Sequence, residues 1–185
     1  MHQSIYVGLR RIINAMNKII FVTGASGSGK TTIVKKLQRI APNNLQFCYF
    51  DSIGVPSSEN MIKEYGSAEE WQRQTTKRWV EDIKNKYLLT SSVVFDGQMR
   101  IAFISEACKL NHVDMYEVVL FDCSDDERRK RLIERGHPEL ANKDMVDWAA
   151  YLRGEAKRDP RVQIIHTTNL AVERAVEKLQ AIIDR

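Results

Sequence analysis

Eight consecutive residues, Gly24-Ala25-Ser26-Gly27-Ser28-Gly29-Lys30-Thr31, carry the most specific chemistry in this 185-residue chain. They match G-x-x-x-x-G-K-[ST] in full, and the pattern follows from the demands of a polyphosphate ligand. Glycines let backbone N–H groups curl around phosphate oxygens, and a helix N-terminus adds partial positive charge. Lys30 then reaches the β and γ oxygens, and the Thr31 hydroxyl is placed to hold Mg²⁺. An apolar run, Ile19–Thr23, precedes the octet and a helical pattern, Thr32–Arg39, follows it, with Thr32 next in line to contact the phosphates. A purely structural glycine loop is the rival reading, and the strand-then-helix context argues against it.

Three further apolar runs end in an aspartate: Phe47–Phe50 in Asp51, Val93–Phe95 in Asp96 and Val118–Phe121 in Asp122. In open α/β sheets ligands sit at the carboxyl ends of strands, so all three carboxylates are candidates. Asp96 best fits a metal-holding role, with substrate contact as the alternative. Asp51, ahead of a loop over 52–58, is the leading candidate for general base or acceptor of a substrate hydroxyl proton. Asp122 adjoins Ser124-Asp125-Asp126-Glu127, and its plainer reading is a carboxylate at a helix start.

Arg128, Arg131 and Arg135 are spaced to share one helix face. Guanidinium groups suit triphosphate oxygens and stacking on a base, whereas the plainer reading is a solvated helix laced with ion pairs. The net charge is +4. Residues 128–161 alone hold ten Lys or Arg against six Asp or Glu. So mild and local an excess suits one small polyanion better than a nucleic acid.

The elements that must position these groups alternate as short apolar runs and longer helical patterns, which implies one α/β domain with a parallel sheet wrapped by helices. The fifth run is Val162–Ile165, and Leu170–Ile183 makes a closing helix. Ser67-Ala68-Glu69-Glu70 and Ser124–Glu127 are capping boxes, and Gly136 with Pro138 stops the helix that begins near Asp125. Asn142–Arg158 reads as helical. Trp71, Thr75, Trp79, Ile83 and Tyr87 recur every four residues, a stripe expected to pack on the sheet, with an aromatic wall for a planar acceptor as the alternative. Residues 1–15 read as an extension ahead of a start at Met16, or as a short amphipathic helix; 16–185 form the domain. Three scattered cysteines and the lack of a long apolar run suggest a reducing, cytoplasmic setting with no membrane partner. Nothing in the sequence speaks to oligomeric state.

With these pieces in place, the chain resembles the P-loop kinases of the nucleoside monophosphate kinase-like group, which includes gluconate, shikimate and adenylylsulfate kinases. The resemblance rests on Gly24–Thr31, Phe95-Asp96-Gly97, Val118–Asp122 with the arginine-rich helix through Arg135, and Ile164–Asn169 with its closing helix. It implies a three-layer fold with a five-stranded parallel sheet in the order 2-3-1-4-5. It also implies ATP and Mg²⁺ as cofactors, and Arg131 and Arg135 near the phosphates. His166–Leu170, Asn169 included, would lie beside the adenine, and Asp51 and Arg100 on the acceptor side. An acceptor-side helical insert is expected at about 52–90 and a lid at about 135–158. The twin Asp-x-Asp and the glycine pair of a shikimate site are absent, and Asp96-Gly97-Gln98-Met99-Arg100 matches no familiar acceptor pattern.

The expected activity is transfer of the γ-phosphoryl group of Mg-ATP to a small-molecule or nucleotide acceptor. A nucleotide switch or ATPase without a small acceptor is one rival. No Asn-Lys-x-Asp follows a strand, and glycine, not glutamate, follows Asp96. A polynucleotide 5′-kinase is the other rival, and the weak basic charge disfavours it.

Overall fold

The computed structural model describes residues 17–185, so the expected extension over 1–15 and the start at Met16 lie outside the described residues. Five strands build the centre: β1 (Ile19–Thr23), β2 (Leu45–Tyr49), β3 (Ser92–Asp96), β4 (Tyr116–Asp122) and β5 (Val162–His166). All pair in parallel, in the order β2-β3-β1-β4-β5. That is the topology the resemblance implies.

Seven helices complete the described chain: α1 (Lys30–Gln38), α2 (Ser58–Tyr65), α3 (Ala68–Lys86), α4 (Ile101–Leu110), α5 (Asp125–Glu134), α6 (Lys143–Arg158) and α7 (Val172–Ile183). Short 3-10 turns at Phe50–Ile53 and Pro138–Leu140 punctuate them. Successive strand residues face opposite sides, and β1 shows the result. Ile19 and Phe21 join a core with residues of α3, α4 and α6, whereas Ile20 and Val22 join a second core with α1 and α7. Both faces being covered explains why all five residues of β1 are apolar or small and buried.

Register brings the carboxyl ends of the strands level. Val22 of β1 lies beside Asp96 of β3, Tyr49 of β2 also beside Asp96, and Asp122 of β4 beside His166. The helix starts obey the expected chemistry. Ser67 Oγ accepts from Glu70 N at 3.0 Å, Ser124 Oγ from Glu127 N at 3.3 Å, and Asn142 Oδ1 from Met145 N at 3.0 Å. Strand β2 starts and ends earlier than its apolar pattern suggests, because Phe50 leaves the ladder to open the turn that carries Asp51.

The aromatic stripe of α3 is mostly core. Trp71 packs edge-on against Phe50 at 5.7 Å and Trp79 against Phe95 at 5.1 Å, and Ile83 is fully buried. None of the five stripe residues lines the cleft described below. Helix α6 covers the stretch read as helical over 142–158, and its Ala149, Leu152 and Ala156 are buried against the sheet and α4.

Candidate active site

The phosphate-binding loop departs from the carboxyl end of β1 with Gly24, Gly27 and Gly29 all at positive φ. Gly24 is the tightest of these. A Cβ there would meet the Phe121 carbonyl oxygen at 2.3 Å, so only glycine passes behind β4. Gly29 is the left-handed cap from which α1 starts, so Lys30 and Thr31 stand in its first turn. Ala25 O accepts from Ser28 N at 3.2 Å and closes the loop, while Thr167 Oγ1 donates to Ser28 O at 2.8 Å and ties the loop to the segment after β5.

A cleft of about 580 Å³ opens over this loop. Ser26, Gly27, Gly29, Lys30, Thr31, Asp51, Asp96 and Arg135 line it together. The sequence-selected groups from β1, β2, β3 and α5 therefore meet at one end of the sheet. Burial lowers the Lys30 pKa below the ordinary lysine value, with the Asp96 and Asp51 carboxylates opposing it. Burial raises the Asp96 pKa, opposed by the Lys30 ammonium and the Thr31 hydroxyl.

Asp96 is only 3% exposed, and its Oδ1 has no protein hydrogen-bond partner. A buried carboxylate oxygen without a donor is costly unless something else satisfies it. Beside the Thr31 hydroxyl, that oxygen fits a hard, oxygen-seeking divalent cation. Thr31 and Asp96 are the residues that suit Mg²⁺.

The three arginines separate by role. Arg128 is 1% exposed and structural: its Nη2 donates to Asp122 Oδ1 and to the Cys123 carbonyl, both at 2.9 Å. Its aliphatic stem backs the phosphate loop, since a Cβ on Gly27 would meet Arg128 Cγ at 3.0 Å. Asp122 accordingly anchors Arg128 inside the core rather than facing the cleft. Arg131 is held by Glu127 at 2.7 Å and by Thr167, through Oγ1 at 3.0 Å and the carbonyl at 2.8 Å. It lines a separate hollow of about 290 Å³ with Gly29, Thr32, Ile33, Arg135, Leu170 and Val172. Arg135 spans both spaces and donates to Thr32 Oγ1 at 3.1 Å.

Two positions expected near the site lie outside these linings. Asn169, with a left-handed φ of 56°, is not among the lining of that hollow, whose wall after β5 is Thr167 and Leu170. Arg100 is not among the cleft-lining residues either. Its guanidinium donates to Gln72 Oε1 at 3.0 Å, approaches Glu69 at 3.4 Å and lies 4.9 Å from the Trp148 ring centre. Of the stretch 135–158, the cleft is bordered by Arg135, His137 and Leu140, ahead of the docked α6.

Sequence reasoning overlooked Gln98 and Lys35 in the cleft wall, whereas Ser52 belongs to the loop already noted after Asp51. Lys35 had a legible signal, four residues beyond Thr31 and so on the same helix face. Gln98 had none, because it lies in a loop whose path depends on partners distant in sequence.

The sheet order, the loop after β1 and the cleft at the strand ends define the fold of P-loop kinases in the nucleoside monophosphate kinase-like group. A family described as "AAA domain" matches residues 20–151, and the chain belongs to that family. No curated protein matches it. Solved structures share the fold at low identity. A sugar kinase from Janibacter sp. HTCC2649 has a TM-score of 0.63 at 18% identity, covering 91% of this chain and 95% of that one. A thymidylate kinase from Candida albicans has 0.64 at 15%, covering 91% and 92%. A gluconokinase from Sinorhizobium meliloti 1021 has 0.63 at 18%, covering 92% and 93%. Among the described residues no helix is long and apolar enough to cross a membrane.

Proposed function

We propose that the protein is an ATP-dependent phosphotransferase that moves the γ-phosphoryl group to a small-molecule or nucleotide acceptor. One observation carries this reading: the cleft over the phosphate loop also contains a second carboxylate, Asp51, on a wall built by β2 and β3. That leaves room for an acceptor beside the triphosphate. The likeness in fold to sugar, thymidylate and gluconate kinases supports it.

Phosphoryl transfer needs mainly positioning and charge neutralisation. Backbone N–H groups of Gly24–Thr32 would cradle the phosphates, with Lys30 and Arg135 against the transferring group. Arg131, fixed by Thr167, would border the base. Mg²⁺, held through Thr31 and Asp96, would neutralise charge on the phosphate oxygens when bound. Asp51 would take the proton of the acceptor hydroxyl as the new O–P bond forms and the bond from the γ-phosphorus to the β,γ-bridging oxygen breaks, releasing ADP. An ATPase that activates water through a glutamate after the strand aspartate has no place for it here. A Cβ on Gly97 would lie 2.5 Å from Phe50 Cβ.

Titration calorimetry with ATP and Mg²⁺ and an ADP-release assay over hydroxylated acceptors test the reading. Lys30→Ala should weaken ATP binding about 10- to 100-fold, as expected for loss of a charge-assisted phosphate contact. Asp51→Asn should leave ATP affinity near wild type and lower transfer about 10²- to 10⁴-fold. Equal losses in binding and transfer for Asp51→Asn would remove its acceptor-side role.

A further inference from the structure

The segment Gly97–Arg100 after β3 is held with unusual completeness for a loop. Gly97 N donates to Val22 O at 3.1 Å. Thr23 Oγ1 both donates to Met99 O at 2.7 Å and accepts from Met99 N at 3.1 Å. The Gln72 amide of α3 grips the same segment at two points, Nε2 donating to Gln98 O at 2.8 Å and Oε1 accepting from Arg100 N at 3.2 Å. Glu155 of α6 then caps the helix that follows, accepting from Ile101 N at 2.9 Å and Ala102 N at 3.2 Å.

This clamp sends the side chains of Gln98 and Arg100, two residues apart, to different places. Gln98 enters the cleft, where its Oε1 accepts from Ser26 Oγ of the phosphate loop at 3.1 Å. Among the described residues, its Nε2 has no protein acceptor. Arg100 is withdrawn instead. Gln72 and Glu69 hold its guanidinium, and the rings of Phe103, Trp148 and Tyr151 lie 5.4, 4.9 and 5.8 Å from it. Such stacked, ion-paired contacts are not given up for an exposed ligand without cost.

The cations of the cleft, Lys30, Lys35 and Arg135, come from α1 and the end of α5, whereas the wall that follows β2 and β3 is Tyr49, Phe50, Asp51, Ser52, Gly97 and Gln98. That wall supplies a carboxylate, a hydroxyl, an amide and an aromatic edge, and no guanidinium. Across the whole cleft three cations, Lys30, Lys35 and Arg135, face two carboxylates, Asp51 and Asp96. A Mg²⁺ held at Thr31 and Asp96 would add two positive charges, and a fully ionised triphosphate with about four negative charges still outweighs the sum. A second anionic group beside Asp51 would meet repulsion in a site of reduced dielectric.

Resting on the phosphotransferase reading, we infer that the acceptor is an uncharged polyhydroxyl compound, a sugar or polyol without phosphate or carboxylate, and that Gln98 determines this specificity. Its amide N–H groups donate to an acceptor hydroxyl while Ser26 fixes the other end of the amide. Asp51 accepts from the hydroxyl that reacts. The loop clamp holds Gln98 in place before the acceptor arrives, so its orientation costs little entropy on binding.

The test is ADP release by the full chain with Mg-ATP over three panels: neutral pentoses, hexoses and polyols; nucleoside monophosphates; and sugar phosphates with sugar acids. ATP binding is measured in parallel by calorimetry. The expected result is that a neutral compound gives the highest kcat/KM. Gln98→Met keeps the length of the side chain, adds no charge beside the triphosphate and removes the two donors. It should raise the acceptor KM about 10-fold or more, the loss of one or two hydrogen bonds, while ATP affinity stays within about threefold. Gln98→Ala provides a second variant with the same expected rise. The inference is overturned if a phosphorylated or carboxylated acceptor is preferred, or if both Gln98 variants keep the wild-type acceptor KM. Binding of ATP with no stimulation by any panel would overturn the phosphotransferase reading as well.

Discussion

Replacing Arg128 by methionine isolates the ion pair that supports the phosphate loop from behind. Arg128 is buried and its Nη2 lies 2.9 Å from Asp122 Oδ1. Removing one partner of a buried pair ordinarily costs about 3–5 kcal/mol, because the other charge is left uncompensated. Two features of this site reduce that figure. Arg153 Nη1 of α6 also reaches Asp122, at 3.3 and 3.4 Å from its two oxygens, so the carboxylate keeps a cation. Arg128 Nε and Nη1 are themselves buried without partners, and each such donor costs about 1–3 kcal/mol that the substitution releases. Methionine also fills most of the volume against Gly27. The expected net loss is about 1–2 kcal/mol. Arg153→Met alone removes a partly exposed partner and should cost about 1 kcal/mol or less. The double variant leaves Asp122 without either cation and should lose about 4–5 kcal/mol, a coupling of about 2 kcal/mol. Urea unfolding of the four proteins at pH 7 measures the cycle. Additivity within about 0.5 kcal/mol would refute the idea that the two arginines share one carboxylate, and with it the link from α6 to the phosphate loop.

Gly97→Ala forces a Cβ to within 2.5 Å of Phe50 Cβ, next to Asp51. Overpacking of this kind should cost about 1–3 kcal/mol in urea, and the displaced Asp51 should lower transfer by up to about 100-fold; ATP affinity close to wild type and wild-type turnover together would argue against rigid placement of Asp51. Burial pushes the Cys48 thiol up to about 11 and the Cys108 thiol to about 12. At pH 8 native protein should therefore react with iodoacetamide at these positions far more slowly than urea-unfolded protein, as peptide mass mapping will show. The raised folded values also fix the sign of the pH effect on stability. The stabilisation is fully present below the unfolded thiol pKa of about 9 and is lost as pH rises towards the folded values. An unfolding free energy that increased between pH 9 and pH 11 would contradict it.

The octet Gly24–Thr31, the strand-end aspartates and the five apolar runs were legible because each is a local pattern whose chemistry or periodicity sits within a few residues. Position within a parallel sheet follows from those runs almost by necessity. Strand ends converge, so residues just after β1, β2 and β3 had to meet. Lys30, Thr31, Asp51 and Asp96 do line one cleft, whereas Asp122, nominated by the same strand-end rule, turns inward to Arg128. Sequence reasoning could not rank Arg128, Arg131 and Arg135. Sharing a helix face says nothing of depth, and depth made the first a core residue, the second a strut to Thr167 and the third a cleft residue.

Sequence by itself determined that this chain is built around a polyphosphate loop at the end of a parallel sheet, because the loop's requirements are written in eight adjacent residues. Only the tertiary structure decided what faces the acceptor. Gln98 and Arg100 are two residues apart and equally eligible on paper. One is turned into the cleft and the other out of it by Gln72, Thr23, Trp148 and Glu155, partners between 26 and 76 residues away whose arrival depends on how α3, β1 and α6 pack around the loop.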